Sequence, residues 1–160
     1  MKQRPTVQGQ SLVEFSLLIG FAVFLLTGFF DLGRAIFYYS SLSNAVREGA
    51  RSGIVDKCPT CGPYLQVVRR INDYSFSLPD VGETPTNTSC FPGPCTYVGP
   101  EMTIKVTRIK DSSNTFYETV KVEGSYYFKP ITPGIKQIFG SAEGIALNAQ
   151  STMRIAAASR

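Results

Sequence analysis

Residues 12–30 read LVEFSLLIGFAVFLLTGFF, and this stretch decides the fold. Thirteen of its 19 residues are Leu, Ile, Val or Phe. As a helix rising about 1.5 Å per residue it is about 28 Å long, close to the roughly 30 Å of a hydrocarbon core. Each of those thirteen residues favours insertion by about 0.3–0.6 kcal/mol, roughly 4–8 kcal/mol together. That outweighs the cost of Glu14, about 3 kcal/mol even at mid-membrane. Length and composition therefore predict a membrane-spanning helix. A cleaved secretory signal is the competing reading, but the apolar run exceeds the usual length and no A-x-A-like site follows it.

The flanks predict its orientation. Lys2 and Arg4 precede the apolar run, and the next basic residue after it is Arg34, close to Asp31. The positive-inside rule puts the N-terminus in the cytoplasm and the remainder outside. No proline occurs between Pro5 and Pro59. Beyond the apolar run, Leu42, Ala45, Val46, Gly49, Ala50 and Gly53 recur at steps of three and four, the period of an amphipathic helix. One helix over about 10–55 follows, its first half in a membrane or filament core and its second half against a head. Asp56-Lys57-Cys58-Pro59 ends it.

Composition excludes several classes. The chain has 160 residues, enough for one domain and an anchor. It has no His, which removes His-based acid–base catalysis, the Ser-His-Asp triad and the commonest metal ligand. Setting aside Lys2 and Arg4 leaves 14 basic against 12 acidic side chains, dispersed along the chain, so no surface for nucleic acid is indicated. No catalytic constellation stands out, and neither an enzyme nor a cofactor is expected. Cys58, Cys61, Cys90 and Cys95 form two close pairs beyond the span. An even count in a non-cytoplasmic, loop-rich stretch favours two disulfides over a four-Cys zinc site, with the connectivity open.

Residues 56–100 read as a loop-rich region holding a short helix that starts at Pro63, with Leu65, Val68 and Ile71 on its apolar face. Residues 101–160 read as an antiparallel sheet of three strands. These are 101–110, a second strand with Phe116, Val120, Val122, Tyr126 and Phe128 on one face, and a third carrying Ile145, Leu147, Ala149, Met153 and Ile155. A turn at 111–114 joins the first two, and residues 135–139 form a helical turn. The predicted class is α+β, a long helix packed on a small sheet. Two rows of small residues mark close approach: Ser16, Gly20 and Gly28 in the apolar half suit contact between copies, whereas Ser41, Ala45, Gly49 and Gly53 suit the chain's own head. Asp31–Arg34 and Glu48–Arg51, at i,i+3, read as surface ion pairs.

Gly9 followed by Glu14 and the apolar run resembles the processing site of type IV prepilins and pseudopilins. The resemblance implies a basic leader (residues 1–9), removed by a prepilin peptidase that cuts after Gly9 to expose Gln10. It also implies that Glu14 pairs with the terminal amine of a neighbouring subunit. Further on, Asp31-Leu32-Gly33-Arg34-Ala35 and Asn44-Ala45-Val46-Arg47-Glu48-Gly49-Ala50-Arg51 resemble TadE-like proteins, pseudopilin components of tight-adherence pilus systems. The likeness covers residues 9–53. It implies a pilin-like lollipop, held in the inner membrane during biogenesis and then built into a surface filament with itself or other pilin subunits. The alternative is a monomeric anchored protein whose head binds a ligand, as an adhesin does.

Overall fold

The computed structural model describes residues 8–55, 64–86, 94–110, 117–132 and 144–156. Its dominant element is α1, Gln8–Val55, 48 residues and about 72 Å of unbroken helix. No residue in it is proline, so nothing removes a hydrogen bond from its ladder. Helix α2, Leu65–Tyr74, packs on the second half of α1 and buries Val67, Val68 and Ile71.

Four strands complete the head: β1 Cys95–Val98, β2 Met102–Lys110, β3 Tyr117–Phe128 and β4 Ile145–Ala156. They form an antiparallel meander in the order β1-β2-β3-β4. The register puts Met102 opposite Tyr126, Ile104 opposite Gly124 and Val106 opposite Val122, so the apolar positions of β2 and β3 share a face. That face is closed by α1, which lies against β3 and β4. The core is continuous from Leu42, Ala45, Val46 and Ala50 through Val67 and Ile71 to Ile104, Val120 and Val122. The α+β class is as read from the sequence, a long helix laid on a small antiparallel sheet.

The sheet starts earlier than its sequence reading. Strand β1 falls in the stretch read as loop, and it pairs Tyr97 with Ile104. Four residues between Pro94 and Gly99-Pro100 are too few for alternation to stand out, although Cys95 and Tyr97 are buried and Val98 is exposed. The segment between α2 and β1 is tied down locally by Asn72. Its side-chain amide donates to the Val81 carbonyl at 3.0 Å, and its oxygen accepts the Val81 N–H at 3.1 Å.

The turn at 111–114, the helical turn at 135–139, the leader through residue 7, and Cys58, Cys61 and Cys90 lie outside the described residues. Cys95 opens β1 and is fully buried.

Candidate functional site

Along α1 the environment changes abruptly. From Gly9 to Leu26 every residue is exposed, and none of the helix's most apolar stretch is covered by the rest of the chain. Gly9, Gln10 and Glu14 lie on this bare segment, as do Ser16 and Gly20. A Cβ built on Gly20 or Gly28 would meet nothing within 4 Å, so the head makes no use of the space these glycines leave. Two hydroxyls on and just beyond this segment bond to the helix's own backbone. Ser16 Oγ donates to the Leu12 carbonyl at 2.8 Å, and Thr27 Oγ1 to the Phe24 carbonyl at 2.9 Å. Such back-bonding lets a hydroxyl sit in an apolar medium without an external partner.

The second row of small residues is filled from within the chain. A Cβ on Gly49 would stand 2.5 Å from Ile71 Cγ1, and one on Gly53 would stand 3.1 Å from Val120 Cγ1 and 3.2 Å from Val67 Cγ2. Ala45 is fully buried, and Ser41 Oγ donates to the Phe76 carbonyl at 2.9 Å. A residue missed by sequence reasoning makes room on the sheet for the apolar side chains beside this row. Gly124, in the middle of β3, would place a Cβ 2.8 Å from Val46 Cγ2 and 3.0 Å from Leu42 Cδ1. A glycine between alternating apolar residues was the available signal, since it marks close approach of another element.

The transition between the two halves is Asp31, one residue past the apolar run. It is not the surface ion pair expected from its spacing to Arg34: it is 4% exposed. Its Oδ2 accepts the N–H and the hydroxyl of Thr132, both at 2.7 Å, and its Oδ1 accepts the N–H of Ile131 at 3.0 Å. Arg34 Nη1 reaches Oδ1 at 3.4 Å, while its guanidinium lies 5.4 Å from the Phe128 ring centroid and 5.8 Å from that of Tyr38. Burial works to raise the Asp31 pKa. The donors from Ile131 and Thr132, with the Arg34 charge, outweigh it and hold the carboxyl below its ordinary value.

Chemically this is a clasp. A carboxylate at the N-terminal end of the head-packed half of α1 accepts from two backbone donors just after β3, so the end of that strand is fixed to the helix where it leaves the head. Thr132 and Ile131 were invisible as partners because a hundred residues separate them from Asp31. Glu48–Arg51 does remain near the surface, at 3.9 Å with Arg51 well exposed, and Arg47 is exposed. Gly33 is exposed as well, with open space around it.

A bare apolar half-helix continuing into a half-helix embedded in a small antiparallel head is a pilin-like architecture. The family model described as TadE-like protein matches residues 9–51, so the chain is similar to that family along this helix, in agreement with the resemblance read from its sequence. No curated protein and no solved structure matches the chain.

Proposed function

We propose that this protein is a structural subunit of a surface filament of the tight-adherence type, with no catalytic role. Its leader is removed after Gly9, and its exposed half-helix then passes from the inner membrane into contact with copies of itself or other pilin subunits. One observation carries this reading: the TadE-like helix leaves its whole apolar half uncovered while its other half is built into the head. An apolar surface of that length needs a lipid or protein environment. The row Ser16–Gly20–Gly28 favours helix–helix contact within it. Glu14 supplies a negative charge five residues past the scissile position, and an amine freed at Gln10 on a neighbour is its natural counter-charge in a low-dielectric layer. The N-terminus faces the cytoplasm before assembly, by the positions of Lys2 and Arg4. A prepilin peptidase is the processing partner.

The test pairs electron microscopy of sheared surface material with N-terminal mass spectrometry of the same sample. Filaments whose subunits begin at Gln10 are expected, together with loss of filaments in Glu14→Ala. Recovery of monomer only, with Met1 intact, would refute the reading and leave an anchored surface protein.

A further inference from the structure

Past Asp31 the head covers one side of α1 only, and the uncovered side stays apolar for about two more turns. Leu32, Ile36, Phe37 and Tyr39 are 47–61% exposed there. From Ser40 onward that side turns polar, with Ser40, Ser43, Asn44 and Arg47 exposed. A strip of apolar helix therefore runs alongside the head, beyond the clasp. Part of it is a groove of about 500 Å³, lined by Phe30, Gly33, Phe37 and, from the head, Ser77. A Cβ on Gly33 would meet nothing within 4 Å, so the fold makes no use of the space above it. Beside the groove stands Phe76, 74% exposed, its ring edge-on to Phe37 with centroids 6.1 Å apart. Its turn holds it outward. Ser77 adopts φ +64°, a left-handed conformation that a serine takes at a cost. The Leu78 N–H donates to the Ser75 carbonyl at 3.1 Å, and Ser41 Oγ donates to the Phe76 carbonyl at 2.9 Å.

We propose that this strip, walled by Phe76, is the seat for the bare half-helix of a second copy displaced along the axis toward the head. The proposal rests on the filament reading and gives the bare half-helix its counter-surface. Lipid is too thin to cover the strip. Gly9–Phe30 is about 32 Å long, or about 30 Å of depth at the average tilt of about 20°, which fills a hydrocarbon core. The bilayer cannot rise further without taking in Asp31, Arg34 and the Lys129–Glu101 ion pair beside Ile131 and Thr132. Asp31 to Tyr39 adds about 12 Å, twice the roughly 5–7 Å of a headgroup layer. The upper part of the strip thus stands in water until protein covers it, and exposed apolar surface of this kind marks a protein contact.

A second copy supplies the cover. Drawn out of the lipid, its bare half-helix needs apolar neighbours, and every copy carries both that half-helix and the strip. The two are different surfaces, so the contact is heterologous and repeats from copy to copy, as a filament requires. Gly33 suits the floor of the seat, because a glycine lets two helix backbones approach closely.

The test places p-benzoylphenylalanine at position 37, 76, 19 or 109 of the full chain in the producing cells, with photo-cross-linking and mass spectrometry of the joined peptides. Ile19 marks the bare segment, and Ile109 is an exposed position on the head. Expected are copy-to-copy links from positions 37 and 76 to residues 9–26, with none from 109 to that segment. Position 37 carries the test should the variant at 76 fail to fold. Gly33→Leu enters the groove from a position where an added Cβ meets nothing, so the thermal midpoint of the head should be unchanged while those links are lost. Links from 37 and 76 to lipid, to another protein or to the head of a second copy overturn the seat, as does native linking in Gly33→Leu. If position 19 still links copies in that event, the filament reading stands without the seat. If position 19 links no copies either, that reading fails and takes the seat with it.

Discussion

Replacing Asp31 by Ala removes the acceptor for three donors from the head at once, and with it the counter-charge of Arg34. Thr132 is the costly partner, since it is 2% exposed and both its N–H and its hydroxyl end on Asp31 Oδ2. A buried donor left without an acceptor costs about 1–3 kcal/mol, and hydrogen bonds to a charged group contribute about 1.5–3 kcal/mol each. These contributions do not add in full. The Thr132 hydroxyl can rotate, and Ile131 is an exposed residue whose N–H can turn to water. A net loss of about 3 kcal/mol is expected. At about 2–4 °C per kcal/mol for a chain of this size, the head should unfold roughly 6–12 °C earlier. The assay is thermal unfolding of detergent-solubilised full chain, followed by near-ultraviolet circular dichroism of the tyrosines, because α1 in detergent would dominate the far-ultraviolet signal. A pH series adds a signed check. The folded pKa lies below its ordinary value of 3.8, so the stabilisation is fully present above that value and is lost as pH falls through the folded pKa. The gap between the native chain and Asp31→Ala should therefore be constant near neutrality and shrink only in acid below pH 3.8. A midpoint within about 0.5 kcal/mol of the native chain, the scatter of ordinary surface substitutions, would refute the clasp.

Other perturbations separate the two halves of α1. Gly49→Val should destabilise the head by about 1–3 kcal/mol, because its Cβ would stand 2.5 Å from a buried isoleucine; an unchanged midpoint would mean that α2 is not seated there. Gly20→Leu should leave that midpoint within about 0.5 kcal/mol, since no atom lies within 4 Å of the added Cβ, yet lower filament yield. Native filament yield from Gly20→Leu would remove the small-residue row from assembly.

Much of this architecture is legible in the sequence because its signals are local. A proline-free run whose apolar residues first surround the helix and then retreat to one face gives the length of α1 and the point where its surroundings change. Alternation in Met102–Val106 and Val120–Phe128 gives strands of known inward face. Strand β1 escaped because four residues carry too little periodicity. The partners of Asp31 escaped for a different reason: spacing to Arg34 is visible along a helix, while Thr132 is brought to it only by the path of the chain.

The sequence by itself determined that a helix of this length forms, that half of it is too apolar for water, and that an antiparallel sheet needs its other half as cover. Each follows from side-chain type and period. Tertiary structure decided which glycines face an internal partner, so that Gly49 and Gly53 are filled by Ile71, Val67 and Val120 while Gly20 and Gly28 stay open. It also decided that Asp31 is an internal clasp and that Phe76 stands outside the core. The reason is the same in each case: whether a cavity is filled or a carboxylate is capped depends on which distant residue the fold delivers there, and no local pattern encodes that.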